Sequence, residues 1–98
     1  MYDLLIKNAN IVTTNNITLG SVAVNKNKIK DIFLNNEIVE AKEILDLKGK
    51  YLFPGFIDCH VHFDEPGYTF REDFNHGTAA AAVGGIATII DMPLNNKP

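Results

Sequence analysis

Residues 51–65, YLFPGFIDCHVHFDE, hold the stretch on which the reading of this chain turns. Leu52 to His62 is an apolar, β-prone run with Pro54-Gly55 at its entrance, where a strand tolerates proline. Side chains at i and i+2 of a strand point to one face. Asp58, His60 and His62 are therefore expected on one side, and Ile57, Cys59 and Val61 on the other. Two imidazoles spaced this way can converge on one ion, and imidazole nitrogen suits zinc and other first-row metals. The run ends in the turn Asp64-Glu65-Pro66-Gly67.

Outward from there, Thr69-Phe70-Arg71-Glu72 matches a capping box with Thr69 as N-cap. The helix it starts is expected to reach about Val83 and stop at Gly84-Gly85. Phe70, Phe74, Gly77, Thr78 and Ala81 form its packing side at helical periodicity, and His76 is a solvated residue on another side. Ile86–Asp91 reads as a second buried strand, closed by Met92-Pro93. Strand, helix and strand in that order form a βαβ unit, with the two strands parallel. The fold class is α/β: the start of a (β/α)8 barrel, whose active sites sit at the C-terminal strand ends. His60 and His62 stand at such an end.

The first fifty residues read differently. Tyr2–Lys7 and Asn10–Thr13 are short β-prone runs broken at Asn8-Ala9, followed by strands at Gly20–Val24, Lys28–Leu34 and Glu43–Leu47. Turns this frequent predict a small antiparallel sheet or sandwich. The expected organisation is residues 1–50 as the N-terminal part of a small β domain and residues 51–98 as the first βαβ unit of the barrel. Such a barrel takes about 250 residues, so the chain reads as the N-terminal piece of a longer protein.

Composition narrows the function classes. Of 98 residues, 46% are apolar and 21% charged, an ordinary globular balance. The net charge of −3 comes without a basic block, which argues against nucleic acid or an anionic membrane as partner. Met1-Tyr2-Asp3-Leu4 has no basic stretch before an apolar core, so a signal peptide is not expected. Cys59 is the only cysteine, which excludes an internal disulfide and fits a reducing cytoplasm; it is expected to be a small buried hydrophobe.

The other candidate residues keep two readings each. Asp58 either orients a histidine ring from behind the metal or caps backbone amides. Asp64 either meets substrate at the mouth of the site or is solvated. Asp91 either faces the same cavity or bonds neighbouring loops. Asn95 and Asn96 carry amides that donate and accept, suited to a polar ring substrate or to a turn. A catalytic zinc takes about three protein ligands, so further ligands are expected beyond Pro98 and the piece alone is expected to be inactive.

Pro54-Gly55-Phe56-Ile57-Asp58-Cys59-His60-Val61-His62 closely resembles the start of the barrel in the cyclic amidohydrolases, the group of dihydroorotases, hydantoinases and allantoinases. The similarity continues through Glu65-Pro66-Gly67, Gly77–Ala81 and Gly84–Thr88. Dihydroorotases carry an arginine where Asp64 stands, and Met-Pro-Asn where this chain has Met92-Pro93-Leu94-Asn95. Hydantoinases often have the aspartate but generally lack the Glu-Pro-Gly that follows it. The loop Asp91–Asn95 looks like the allantoinase version, although allantoinases more often show Asn or Ser at the position of Asp64.

The resemblance implies a binuclear metal centre, usually zinc, bridged by a hydroxide and by a carbamylated lysine outside this chain. His60 and His62 would bind the more buried ion, with Asp58 behind them and Asp64 and Asn95 toward the substrate. The implied reaction opens a small cyclic ureide, allantoin to allantoate, in purine catabolism; the parent is expected to be a cytoplasmic homo-oligomer. A hydantoinase, dihydropyrimidinase or dihydroorotase-like enzyme is the alternative within the group. Outside it stands a non-catalytic scaffold that keeps the fold without the chemistry.

Overall fold

The computed structural model describes residues 1–94, and the chain divides into two compact units, residues 1–54 and 55–98. In the first unit β1 (Tyr2–Val12), β2 (Ile17–Asn25), β3 (Lys28–Phe33), β4 (Ala41–Asp46) and β5 (Tyr51–Leu52) form one five-stranded sheet in the order β3-β2-β1-β4, with β5 also on β1. The antiparallel expectation holds for β1, β2 and β3. It fails for β4 and β5, which both run parallel to β1. The segment after β3 carries the chain to the far edge of the sheet, so β4 enters along β1 in the same direction.

Residues Tyr2–Thr13 do not form two strands with a break at Asn8-Ala9. They form one strand of eleven residues, Tyr2–Val12, whose register against β2 slips between Ile6 and Ala9. Asn8 takes φ 52°, a left-handed conformation that asparagine tolerates better than most residues. Its backbone N–H donates to Asn36 Oδ1 at 3.0 Å, while Asn36 Nδ2 donates to Asn8 Oδ1 at 2.8 Å. Asn8 Nδ2 donates to Asp46 Oδ1 at 2.9 Å, and this bond, followed by that from the Lys48 amide, lowers the Asp46 pKa.

The extra residue has a packing consequence. An inserted residue exchanges the two faces of a strand, so Ile6 before the bulge and Ala9 and Ile11 after it meet in one cluster. Val22 completes that cluster, with Leu47 and Leu52 packed against it. Leu5, paired with Ala23, is fully buried, as is Ser21, whose hydroxyl donates to the Glu37 carbonyl at 2.5 Å. Opposite the bulge, the turn at Lys48 (φ 51°) and Gly49 (φ 84°) separates β4 from β5. Gly49 N–H donates to the Asn8 carbonyl at 2.8 Å there.

The second unit consists of β6 (Phe56–Val61), α1 (Phe74–Val83) and β7 (Ile86–Asp91), with β6 and β7 parallel. The expected single strand Leu52–His62 is thus two: Pro54-Gly55 marks the change from one sheet to the other. Helix α1 ends where Gly84-Gly85 requires, Gly85 taking φ 83°. It starts later than the capping box suggests. Asp73 is the N-cap, its carboxylate accepting from the His76 amide at 2.7 Å, and Glu65 Oε2 accepts from the Phe74 amide at 2.7 Å. Residues 68–72 close turns instead, with the Arg71 amide on the Tyr68 carbonyl. Phe70 lies outside the helix and is exposed.

Gly77 is the one buried residue of α1. A Cβ there would stand 3.0–3.1 Å from the Phe63 ring, and Phe63 in turn lies against Phe74 with ring centroids 5.8 Å apart. Gly77→Val is therefore expected to cost about 1–3 kcal/mol through overpacking, visible as a lowered Tm of the full-length protein. Gly77→Ala gains up to about 1 kcal/mol of helix propensity against a smaller ring displacement and is expected to be close to neutral.

Candidate functional site

The candidate site is the C-terminal end of the β6–β7 pair. Along β6 the register against β7 slips between Asp58 and Val61, so simple alternation does not carry from Asp58 to the histidines. Asp58 Oδ1 accepts from the backbone amide of His60 at 3.1 Å. The contact observed is the capping one, made to the main chain and not to an imidazole. Cys59 is exposed, not the buried hydrophobe expected from its place in the strand; the slip and the bare faces of a two-stranded sheet account for that.

His60 and His62 both lie exposed, their ring centroids 5.0 Å apart and their planes at 87°. With metal–nitrogen distances of about 2.0–2.1 Å and tetrahedral angles, two imidazoles around one ion place their centroids about 5 Å apart. The observed separation meets that requirement. His62 Nδ1 stands 2.6 Å from the Met92 carbonyl. A carbonyl only accepts, so Nδ1 carries a proton in this contact, and in the neutral ring the lone pair is on Nε2. That is the arrangement in which a histidine presents a nitrogen to a metal while the other ring N–H is held by an acceptor.

The neighbouring acids are each engaged. Asp91 Oδ1 accepts from the Phe63 amide at 2.9 Å, the loop-bonding reading of that residue. Asp64 Oδ2 lies 3.5 Å from Arg71 Nε, and the Arg71 guanidinium sits 5.4 Å from the centre of the Tyr68 ring. Asp64 is thus tied to the loop before α1, a partner that the sequence did not single out. His76 Nδ1 is 2.6 Å from Asp73 Oδ1, and its own amide, more than its ring, holds the Asp73 carboxyl below the usual carboxylate range. Asn95 and Asn96 lie outside the described residues. Among those described, no group of three or more His, Cys, Asp or Glu side chains is placed to hold a metal ion, and no helix is long and apolar enough to cross a membrane.

The donor set is suited to a metal all the same: two imidazoles at a strand end, one with its tautomer set. The contribution missed at the level of sequence is the Met92 carbonyl, because a backbone acceptor carries no residue signature.

The chain is 45% identical over 97 residues to an allantoinase of Salmonella choleraesuis, covering 99% of this chain and 21% of that protein. It is 43% identical over 98 residues to an allantoinase of Desulfitobacterium hafniense, with the same coverage. The chain thus spans 21% of the length of these curated relatives. The L-hydantoinase (dihydropyrimidinase) from Arthrobacter aurescens matches in structure with a TM-score of 0.86 and 35% identity, over 100% of this chain and 22% of that one. Matched by the amidohydrolase family model along residues 43–91, from β4 to the end of β7, the chain belongs to the amidohydrolase family.

Proposed function

We propose that this chain is the N-terminal part of a zinc-dependent hydrolase of cyclic amide C–N bonds, with allantoin as substrate and allantoate as product. The observation that carries the reading is the pair His60 and His62, with Nδ1 of His62 donated to the Met92 carbonyl and Nε2 left as a ligand. A zinc centre supplies Lewis acidity toward a carbonyl and an activated water. His60 and His62 hold the ion. Asp58 braces the backbone at His60, and Asp64, held by Arg71, and Asn95 are the proposed substrate contacts.

In this reading residues 51–98 are the first βαβ unit of a (β/α)8 barrel and residues 1–50 begin a small β-sandwich domain. The parallel pair β6–β7 supports it, because parallel sheets are covered on both faces, whereas Ile57 and Ile90 here are exposed. The remaining metal ligands, including a carbamylated lysine, come from the rest of a parent that is a cytoplasmic homo-oligomer, and the piece alone is inactive. Allantoin is preferred to hydantoin on the motifs Glu65-Pro66-Gly67 and Asp91-Met92-Pro93-Leu94-Asn95, since identity alone does not separate the two: an allantoinase stands at 45% and a D-hydantoinase at 43%.

The test is ring opening by the zinc-loaded full-length protein offered allantoin, hydantoin and dihydroorotate. Allantoin is expected to be consumed fastest. Opening of hydantoin or dihydroorotate with allantoin left intact would move the substrate within the group. No opening of any ring by metal-loaded protein would favour the scaffold reading.

A further inference from the structure

The end of the β6–β7 ladder departs from regular parallel pairing in a way that involves Asp91. Val61 pairs with Asp91, and the Met92 amide donates to the Val61 carbonyl at 2.8 Å. In a regular parallel ladder the next bond would run from the Phe63 amide to the Met92 carbonyl. It does not form. The Met92 carbonyl accepts from His62 Nδ1 at 2.6 Å instead, and the Phe63 amide donates to Asp91 Oδ1 at 2.9 Å.

Two side chains have therefore replaced one backbone rung. An unpartnered amide beside a carbonyl would compete for it, because a buried donor left unmet costs about 1–3 kcal/mol, and Phe63 is buried. The Asp91 carboxylate removes that competitor. We infer that Asp91 is a positioning residue for His62: by taking the Phe63 amide it frees the Met92 carbonyl for the imidazole, which fixes the tautomer that leaves Nε2 for the metal. This rests on the metal reading proposed above, and the two can fail separately.

The experiment uses the full-length protein with 15N-labelled histidine, metal-free and zinc-loaded, observed by long-range 15N–1H NMR and by zinc titration. In the metal-free wild type, His62 is expected to carry its proton on Nδ1. Asp91→Leu, nearly isosteric but without an acceptor, is expected to shift His62 toward the Nε2–H tautomer. Zinc affinity is expected to fall about 10–100-fold, the usual loss on removing an outer-shell partner. Asp91→Asn keeps a carbonyl oxygen at the same place and is expected to restore both. Should Asp91→Leu not fold, Asp91→Ala removes the same acceptor without bulk and is read in the same way. An unchanged tautomer and zinc affinity in the Leu or Ala variant would overturn the role of Asp91 and leave the metal reading standing. Wild-type His62 resonances that do not respond to zinc would overturn the metal reading itself.

Discussion

With His60 and His62 both changed to alanine, the full-length protein is expected to lose zinc from the site these residues form. A catalytic zinc is held by about three protein ligands, so removal of two leaves no chelating set. The fall in affinity at that ion should exceed about 100-fold, beyond the range seen when only an outer-shell partner is removed. Each single variant should fall short of the double one, since one imidazole can still be joined by ligands from elsewhere in the parent. Fold is expected to survive. Both rings are exposed, and the bond lost from His62 is one side-chain contact to a carbonyl. Metal counting beside a melting curve reads the two effects apart: stoichiometry drops while the unfolding of the metal-free protein stays near that of the wild type. Unchanged stoichiometry would mean that the metal, if any, is held by other residues.

The largest effect on stability is expected at Leu5. It is fully buried, faces Ala23 across the β1–β2 pair, and is the largest apolar side chain in the chain to be wholly enclosed among the described residues. Truncation to alanine removes the apolar transfer energy and leaves a cavity, together about 2–5 kcal/mol. Because the first unit is compact in its own right, the loss should appear locally. Hydrogen exchange of the β1 and β2 amides in full-length Leu5→Ala should accelerate, while exchange in β6 and β7 stays close to wild type. Equal acceleration in both units would show that they unfold together. No acceleration in β1 would show that Leu5 is not the core residue its burial makes it.

Much of this architecture was legible in the residues. The strand at Ile86–Asp91, its parallel partner and the helix end at Gly84-Gly85 follow from patterns that are local: an apolar run, a βαβ order, and glycine where φ is positive. What misled was also physical. Asn8-Ala9 looks like a break because asparagine marks turns, yet the same tolerance of positive φ lets it absorb one extra residue inside a continuous strand. Thr69-x-x-Glu72 fits a capping box, but Asp73 and Glu65 take the first free amides of the helix, and the box pattern cannot register a competitor nine residues upstream of Phe74. The parallel entry of β4 depends on a crossover whose direction no short window contains.

At the site, the spacing of the histidines was readable and the rest was not. The slip between Asp58 and Val61 depends on pairing with β7, so parity along β6 alone places Asp58 with the rings when its carboxylate instead reaches the His60 amide. The partner of His62 is a backbone carbonyl thirty positions away. Likewise, nothing in the sequence joins Asp91 to the amide of Phe63; only the parallel register brings them together.

The most direct measurement is anomalous X-ray diffraction at the zinc edge from crystals of the metal-loaded full-length protein. An anomalous peak about 2.0–2.1 Å from Nε2 of His62 and from a ring nitrogen of His60, with Nδ1 of His62 still on the Met92 carbonyl, is the expected result. A peak remote from both rings, or one bound through Nδ1 of His62 with the Met92 contact broken, would contradict the account.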